Sequence, residues 1–310
     1  MSSRNLFFLT GLLVLLLVMY FVAQRTVSPP GIKEALLVPL GQPEWQRVDR
    51  LEIFLGSEPE KKLFLVKKKT GWEVLGSSPE ENYPRPAKNS LIDNFLSDLS
   101  QLSGEERVSG KSFWERFLLT DEKALHVVGW RAEQEVFHLL VGKRGPYWDS
   151  TFVRLKDSEK VYLVPENLLA RFEIWKEQPT TPSVDPWIDK EILVVNLPDL
   201  KKLSFVWKGK VLWRLEREKD RWWVEKEGRR REVNEVEKKL GEVFPLFAEK
   251  VLRPETFRKE IGRLELETKL ATRESLSFGV SSQKGRYLAK KGPYVYELGS
   301  EVVEKLRKLF

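Results

Sequence analysis

Hydrophobic positions along the chain follow two periods, and the periods succeed one another in a repeated order. In VDRLEIFL (48–55), Leu51, Ile53 and Leu55 alternate with other residues, the period of two that belongs to a half-buried strand. KLFLVKK (62–68) and GWEVL (71–75) follow after short connections and predict two further antiparallel strands. Leu91, Ile92, Phe95, Leu96, Leu99 and Leu102 then recur at helical spacing, so PAKNSLIDNFLSDLSQL (86–102) predicts an amphipathic helix. In SFWERFLL (112–119), Ser112 with Glu115 three residues on is a capping-box pattern for a short helix. Strands resume in ALHVVGW, VFHLLVG, TFVRL and KVYLV, and a predicted helix, PENLLARFEIW (165–175), closes the series.

The same order starts again at Leu200. LKKLSFVWKG alternates Leu203, Phe205 and Trp207; VLWRLERE and DRWWVEK supply two more strands; VNEVEKKLGEVFPLF (233–247) places Val233, Val236, Leu240 and Val243 on one helical face. ETFRKEIG stands where SFWERFLL stood, RLELET and SLSFGV match the next two strands, and VYLVPENLLARF (161–172) is answered by VYELGSEVVEKL (295–306). GWEV and RWWV are 150 residues apart but VYLV and VYEL only 134, so the second copy has shorter loops between the same elements. The pattern predicts tandem duplication of one α+β unit, not a solenoid of repeats of about 20–50 residues. The predicted fold class is α+β: an N-terminal transmembrane helix, then two repeats of an antiparallel sheet plus helices.

The helix expected first is of another kind. Leu6 to Ala23 carries no charge over 18 residues, about the least that crosses a hydrocarbon core of roughly 30 Å. A cleaved signal peptide has a shorter apolar run and a small-x-small cleavage site; MYFVAQ puts Phe21 where a small residue belongs. An uncleaved anchor is therefore expected, with Leu6, Phe7, Leu12, Leu16, Tyr20 and Ala23 among the lipid-embedded residues. The implied boundaries are 1–25 for the cytoplasmic tip and anchor, 26–46 for a Pro/Gly-containing tether, 47–176 for the first repeat, 177–199 for a Pro-rich linker and 200–310 for the second repeat. The short basic N-terminus is expected in the cytoplasm and the rest outside a bacterial inner membrane.

Charge divides the body unevenly. Residues 26–199 hold 23 basic and 28 acidic side chains, whereas residues 200–310 hold 28 and 18. The basic half suits anionic headgroups, an envelope phosphate or an acidic partner. The chain has no cysteine, which excludes disulfides, thiol catalysis and thiolate metal sites.

The single span, the VDRLEI…KKTGWEV opening, LLVGKRG…TFVRLKDSEKVYLV and the W-x-D-K-x-I-L segment (Trp187, Asp189, Lys190, Ile192, Leu193) together resemble a bacterial family catalogued as domain of unknown function 4340. The resemblance covers nearly all of residues 48–310. It implies a membrane-anchored extracytoplasmic protein associated with an ABC transporter of the gliding-motility type, whose permease and companion extracytoplasmic protein would be the partners. It carries over no catalytic residues.

The residues themselves offer little chemistry. No G-x-x-x-x-G-K-[ST] is present, so the chain is not itself a transporter ATPase of that type, and no G-x-S-x-G elbow or strand-coupled G-x-G-x-x-G occurs. His126 and His138, the two histidines, sit in predicted strands among Leu, Val and Phe and read as ordinary sheet residues. Tyr147 and Trp148 in RGPYWDS, Trp187 in the linker, and Arg229, Arg230 and Arg231 in EGRRRE form the candidate contact surface, the arginines on an outward-facing charged turn; for Trp187 the leading reading is burial at the domain junction, where it either locks the two units together or leaves a hinge. No cofactor, metal or nucleic acid is expected, and nothing in the residues sets an oligomeric state. The expectation is a non-enzymatic scaffold subunit of an envelope ABC transport system; the alternatives are a stand-alone binder of anionic envelope glycan or, third, an envelope hydrolase with a dispersed carboxylate site.

Overall fold

The computed structural model describes residues 36–310 together with Leu13. The expected anchor residues and most of the tether lie outside the described residues. Strands β1 to β10 are Leu37–Pro39, Arg50–Leu55, Leu63–Lys68, Gly71–Gly76, Arg85–Pro86, Ser103–Ser109, Leu125–Arg131, Gln134–Arg144, Thr151–Leu155 and Lys160–Val164. Strands β11 to β21 are Glu191–Leu193, Leu200–Trp207, Lys210–Glu218, Arg221–Lys226, Arg229–Glu232, Leu246–Phe247, Lys250–Leu252, Gly262–Thr268, Arg273–Val280, Arg286–Lys291 and Tyr294–Gly299.

They form two large sheets in which every neighbouring pair is antiparallel. The first runs β5-β4-β3-β2-β7-β8-β9-β10-β6-β1 and the second β15-β14-β13-β12-β18-β19-β20-β21-β17. Chain order and spatial order agree between the two for nine strands, and β1 alone has no counterpart within the second sheet. The small β11–β16 ladder lies just ahead of β17, as β1 pairs with the start of β6. Residues 191–199 therefore occupy in the second unit the place that 37–49 occupy in the first.

Alternation explains the register. Leu51 faces Leu65, which faces Val74, and all three are buried; Leu203, Leu215 and Val224 form the equivalent row. Ile92, Phe95, Leu96 and Leu99 of the Asn89–Ser100 helix enter the same core. Burying each such side chain contributes roughly 1.5–3 kcal/mol. The strands β7 to β10 carry longer apolar runs because both of their faces are covered. Leu139, Val141 and Val153 join the main core, whereas Leu140, Phe152, Val161 and Leu163 close a second cluster under Phe117, Leu119 and Ala124. In RLELET the alternation stays strict, and Leu264 and Leu266 are buried while Arg263 and Glu265 face solvent.

The fold class expected from sequence is corrected here. Of the described residues 44% are in strands and 18% in helices, so the body is predominantly antiparallel β, not α+β. Among the described residues no helix is long and apolar enough to cross a membrane. Three predicted helices shrink. PENLLARFEIW yields one short turn of helix at Leu169–Phe172, the 233–247 segment is helical only over Val236–Gly241, and SFWERFLL retains Trp114–Phe117. Gly241 and Pro245 interrupt the second of these, since glycine costs about 1 kcal/mol in a helix and proline about 3. The Arg229–Glu232 stretch, expected as a turn, is an edge strand. The body also begins earlier than expected: Trp45 is buried and stacks on Phe137 with centroids 4.4 Å apart.

Residues 177–199 are not a free linker. A turn at Asp185–Trp187 seats the Trp187 indole, fully buried, against Phe95 at 5.8 Å and Phe172 at 5.9 Å. Ile188 bridges Ala87 beside β5; Lys88 N–H donates to the Trp187 carbonyl (2.9 Å) and Asp189 N–H to the Pro86 carbonyl (2.8 Å). Immediately downstream, Ala248 N–H donates to the Lys190 carbonyl at 2.7 Å, so one extended stretch is hydrogen-bonded to both units. Tyr83 Oη donates to the Val251 carbonyl and Tyr294 Oη to Glu73 Oε1, each at 2.9 Å, across the same junction.

Candidate functional site

The hairpin joining β8 to β9 presents the most conspicuous aromatic surface of the first unit. Arg144 N–H donates to the Glu177 carbonyl (2.8 Å), Gly145 N–H to the Ser150 carbonyl (2.8 Å) and Ser150 N–H to the Tyr147 carbonyl (3.1 Å), which fixes the loop as a closed turn. Gly145 is required by close approach: a Cβ there would lie 2.2 Å from Ser150 Oγ. Asn167 Nδ2 donates to the Trp148 carbonyl at 2.9 Å. The backbone under Trp148 is thus tied down on both sides, and its side chain is left outside.

Trp148 and Trp175 are each 60% exposed. Their rings are parallel within 3°, with centroids 6.5 Å apart. The Arg144 guanidinium lies over the Trp148 ring at 4.4 Å. Two large apolar faces held parallel in water, with a cation stacked beside them, form a surface suited to a partner's flat apolar or cationic groups. Tyr147 lies half-buried at the same turn.

The other predicted contact residues do not join this patch. Trp187 is buried at the junction of the two units and is withdrawn from the contact surface; its apolar bulk fills the gap between the 89–100 helix and the first unit's closing turn. Its Nε1–H has no hydrogen-bond partner among the described residues. Arg229, Arg230 and Arg231 are exposed on β15, the outer edge of the second sheet. Arg230 pairs with Glu218 and stacks over Trp223 at 5.1 Å. Trp175 and Arg144 were not singled out from sequence. Their spacing from Trp148 gives no signal, because they come from the far end of β10's following turn and the last residue of β8.

A polar cluster around the two histidines sits on the back of the β7–β8 pair. His126 Nδ1 and His138 Nε2 are 2.8 Å apart, and His126 Nε2 is 2.7 Å from the Asp121 carbonyl. A carbonyl only accepts, so His126 carries its proton on Nε2, its Nδ1 accepts, and His138 must donate from Nε2. His138 Nδ1 is then a bare lone pair, buried without a hydrogen-bond partner among the described residues, with Glu135 Oε1 3.8 Å away. Burial, with His126 and the cations Lys156 and Arg154 adding to it, pushes the His138 pKa down to about 3. Burial lowers His126 as well. The buried Arg154 beside them donates to the Leu119 carbonyl (2.7 Å), pairs with Asp121 and lies over the Trp114 ring at 3.8 Å. This arrangement locks the 110–124 segment onto the sheet. Among the described residues no three His, Cys, Asp or Glu side chains converge as a metal site.

Fold and surface define a two-sheet antiparallel β protein with an aromatic contact patch on one unit and an arginine-lined sheet edge on the other. The family model described as Domain of unknown function (DUF4340) matches residues 79–256, more than half of the 310-residue chain, and the chain belongs to that family. The match runs from the loop after β4, through the joining segment, to the turn after β17. No curated protein and no solved structure matches the chain.

Proposed function

We propose that the protein is a membrane-attached, extracytoplasmic accessory subunit of an envelope ABC transport system, docking its partner without chemistry of its own. The observation that carries the reading is the parallel, exposed Trp148–Trp175 pair with Arg144 beside it. Tryptophan and arginine are the side chains that dominate binding energy at protein contacts. The uncharged 6–23 stretch supports attachment to the bacterial inner membrane. The resemblance supports a permease and a companion extracytoplasmic protein as partners. A body whose two units are both hydrogen-bonded to one joining segment suits a spacer that holds a contact surface at a set distance from its attachment.

The test is purification of the full chain from its native membrane in mild detergent, with mass spectrometry of what accompanies it. The wild type should bring a permease and its ATPase, and the double variant Trp148→Ala/Trp175→Ala should recover them about tenfold less. Recovery of neither with the wild type would refute the subunit reading, and equal recovery with the variant would refute the patch as its dock. The second reading, a binder of anionic envelope glycan, is favoured by the same parallel indole faces. It predicts saturable, salt-sensitive glycan binding by the chain purified alone.

A further inference from the structure

The duplicated strand order makes it possible to compare the same edge in the two units. The hydrogen bond from Ala87 N–H to the Trp72 carbonyl (3.0 Å) has its counterpart in the bond from Val233 N–H to the Trp222 carbonyl (2.9 Å). β5 therefore corresponds to the end of β15, with Arg85 matched to Arg231 and Pro86 to Glu232. Val74 faces Arg85 in one sheet, and Val224 faces Arg231 in the other.

In the first unit this edge is covered. The 186–189 segment lies antiparallel beside it, taking the Pro86 carbonyl and the Lys88 N–H as hydrogen-bond partners, and Arg85 is buried. In the second unit β15 is the last strand of its sheet, and no described segment lies beside it. Inward and outward backbone groups alternate along an antiparallel strand. Since Val233 bonds inward, the N–H and C=O of Arg230 and Glu232 and the N–H of Asn234 point outward.

We infer that the outer edge of β15 receives an extended, acidic segment of another protein by antiparallel strand addition, in the place the 186–189 segment takes in the first unit. Charge selects this occupant. Arg229, Arg230 and Arg231 follow one another along the edge. Among the described residues Arg229 and Arg231 have no carboxylate within ion-pair distance, while Arg230 and Glu232 are engaged by Glu218 and by Arg221, the latter at 3.7 Å. Arg229 and Arg231 lie opposite Lys226 and Val224 and so share one face. Carboxylates two residues apart on an incoming strand would meet them both. Pairing with a second copy of β15 would set arginine against arginine, and like charges on facing strands are destabilising. Charged edges also keep sheets from pairing at random, which is compatible with selecting one acidic partner. The inference does not depend on the transporter reading, since it concerns a different surface.

The test uses the full chain in mild detergent and amide hydrogen exchange at residues 229–234. The probe is a ten-residue peptide alternating Glu and Val, beside two controls: Lys in place of Glu, and the Glu/Val sequence with alternate amides N-methylated. Without peptide, the amides of Arg230, Glu232 and Asn234 should exchange rapidly and those of Arg231 and Val233 slowly. The Glu/Val peptide should slow the first three at least tenfold, and the controls should not. The variant Arg229→Glu/Arg231→Glu, with its melting temperature checked against wild type, should exchange the preference toward the Lys/Val peptide. Slow exchange of all these amides before peptide is added would mean the chain covers its own edge and would overturn the inference. No protection by the Glu/Val peptide, or equal protection by its N-methylated form, would overturn it as well.

Discussion

Acidification should destabilise the first unit well before its carboxylates protonate, and the histidine pair sets the size of the effect. His138 has a folded pKa near 3 against an ordinary value of 6.5. Between those values the unfolded chain binds a proton that the folded chain refuses, so stability falls as pH falls, by about 1.4 kcal/mol per pH unit at a fully shielded site. The contribution is intact above pH 6.5 and declines through the window down to about 3. From pH 6.5 to 5.0 the ideal loss is about 2 kcal/mol; partial solvent contact at the rim of the pair reduces it to about 1–2 kcal/mol. His126, also lowered by burial, acts in the same direction. Glu58, held low by hydrogen bonds from Lys61 and Thr181, loses its share only below 4.5, beneath the interval from pH 6.5 to 5.0. The perturbation is His138→Gln, whose amide N–H replaces the Nε2–H donor to His126 but does not titrate. Urea midpoints followed by tryptophan emission at pH 7.5 and 5.0 should show wild type losing stability by about 1–2 kcal/mol more than the variant. Parallel losses in the two proteins would refute the reasoning, as would a His138 ring signal titrating near 6.5.

Trp187→Ala should cost about 3–5 kcal/mol, read as a lower melting temperature and faster proteolysis within 177–199; Trp187→Phe should cost far less, because the indole N–H has no partner to lose. An unchanged melting temperature in Trp187→Ala would contradict the view that this ring holds the junction. Tyr294 should ionise only near pH 12, raised by burial and by the neighbouring Glu73 carboxylate, and ultraviolet difference titration of wild type against Tyr294→Phe checks it. Because the folded value lies above the unfolded one for a group that becomes an anion, its contribution is kept below pH 10 and lost as pH rises beyond. Trp148→Ala and Trp175→Ala should leave the melting temperature within about 2 °C of wild type, since surface changes usually cost under 0.5 kcal/mol; a larger fall would make the pair structural.

Much of the fold was legible because burial imposes periods. Leu51–Ile53 and Leu203–Phe205 alternate because one face of each strand meets the core, and the 89–100 helix repeats apolar residues at three and four because one face of it does. At 165–175 and 233–247 the helical spacing extends beyond the helix that forms. Apolar residues at helical spacing over fewer than three turns also fit strands, turns and short helices, and only the surrounding packing chooses among them. The candidate surface was half legible: Trp148 stands in a turn-rich loop, whereas Trp175 becomes its neighbour only because the segment after β10 folds back onto the β8–β9 hairpin, where the Glu177 carbonyl accepts from Arg144 N–H.

By itself the sequence determined the order of elements, its repetition, the uncharged 6–23 stretch and the unequal charge of the two halves. All of these are one-dimensional properties of spacing and composition. Tertiary structure alone decided that Trp187 packs against Phe95 and Phe172, that the His138 ring donates a hydrogen bond to the His126 ring, that residues 177–199 bind the two units together, and that no described segment covers the outer edge of β15. Each of these depends on which groups far apart in the chain are brought within hydrogen-bond or van der Waals reach, and on which have no described neighbour.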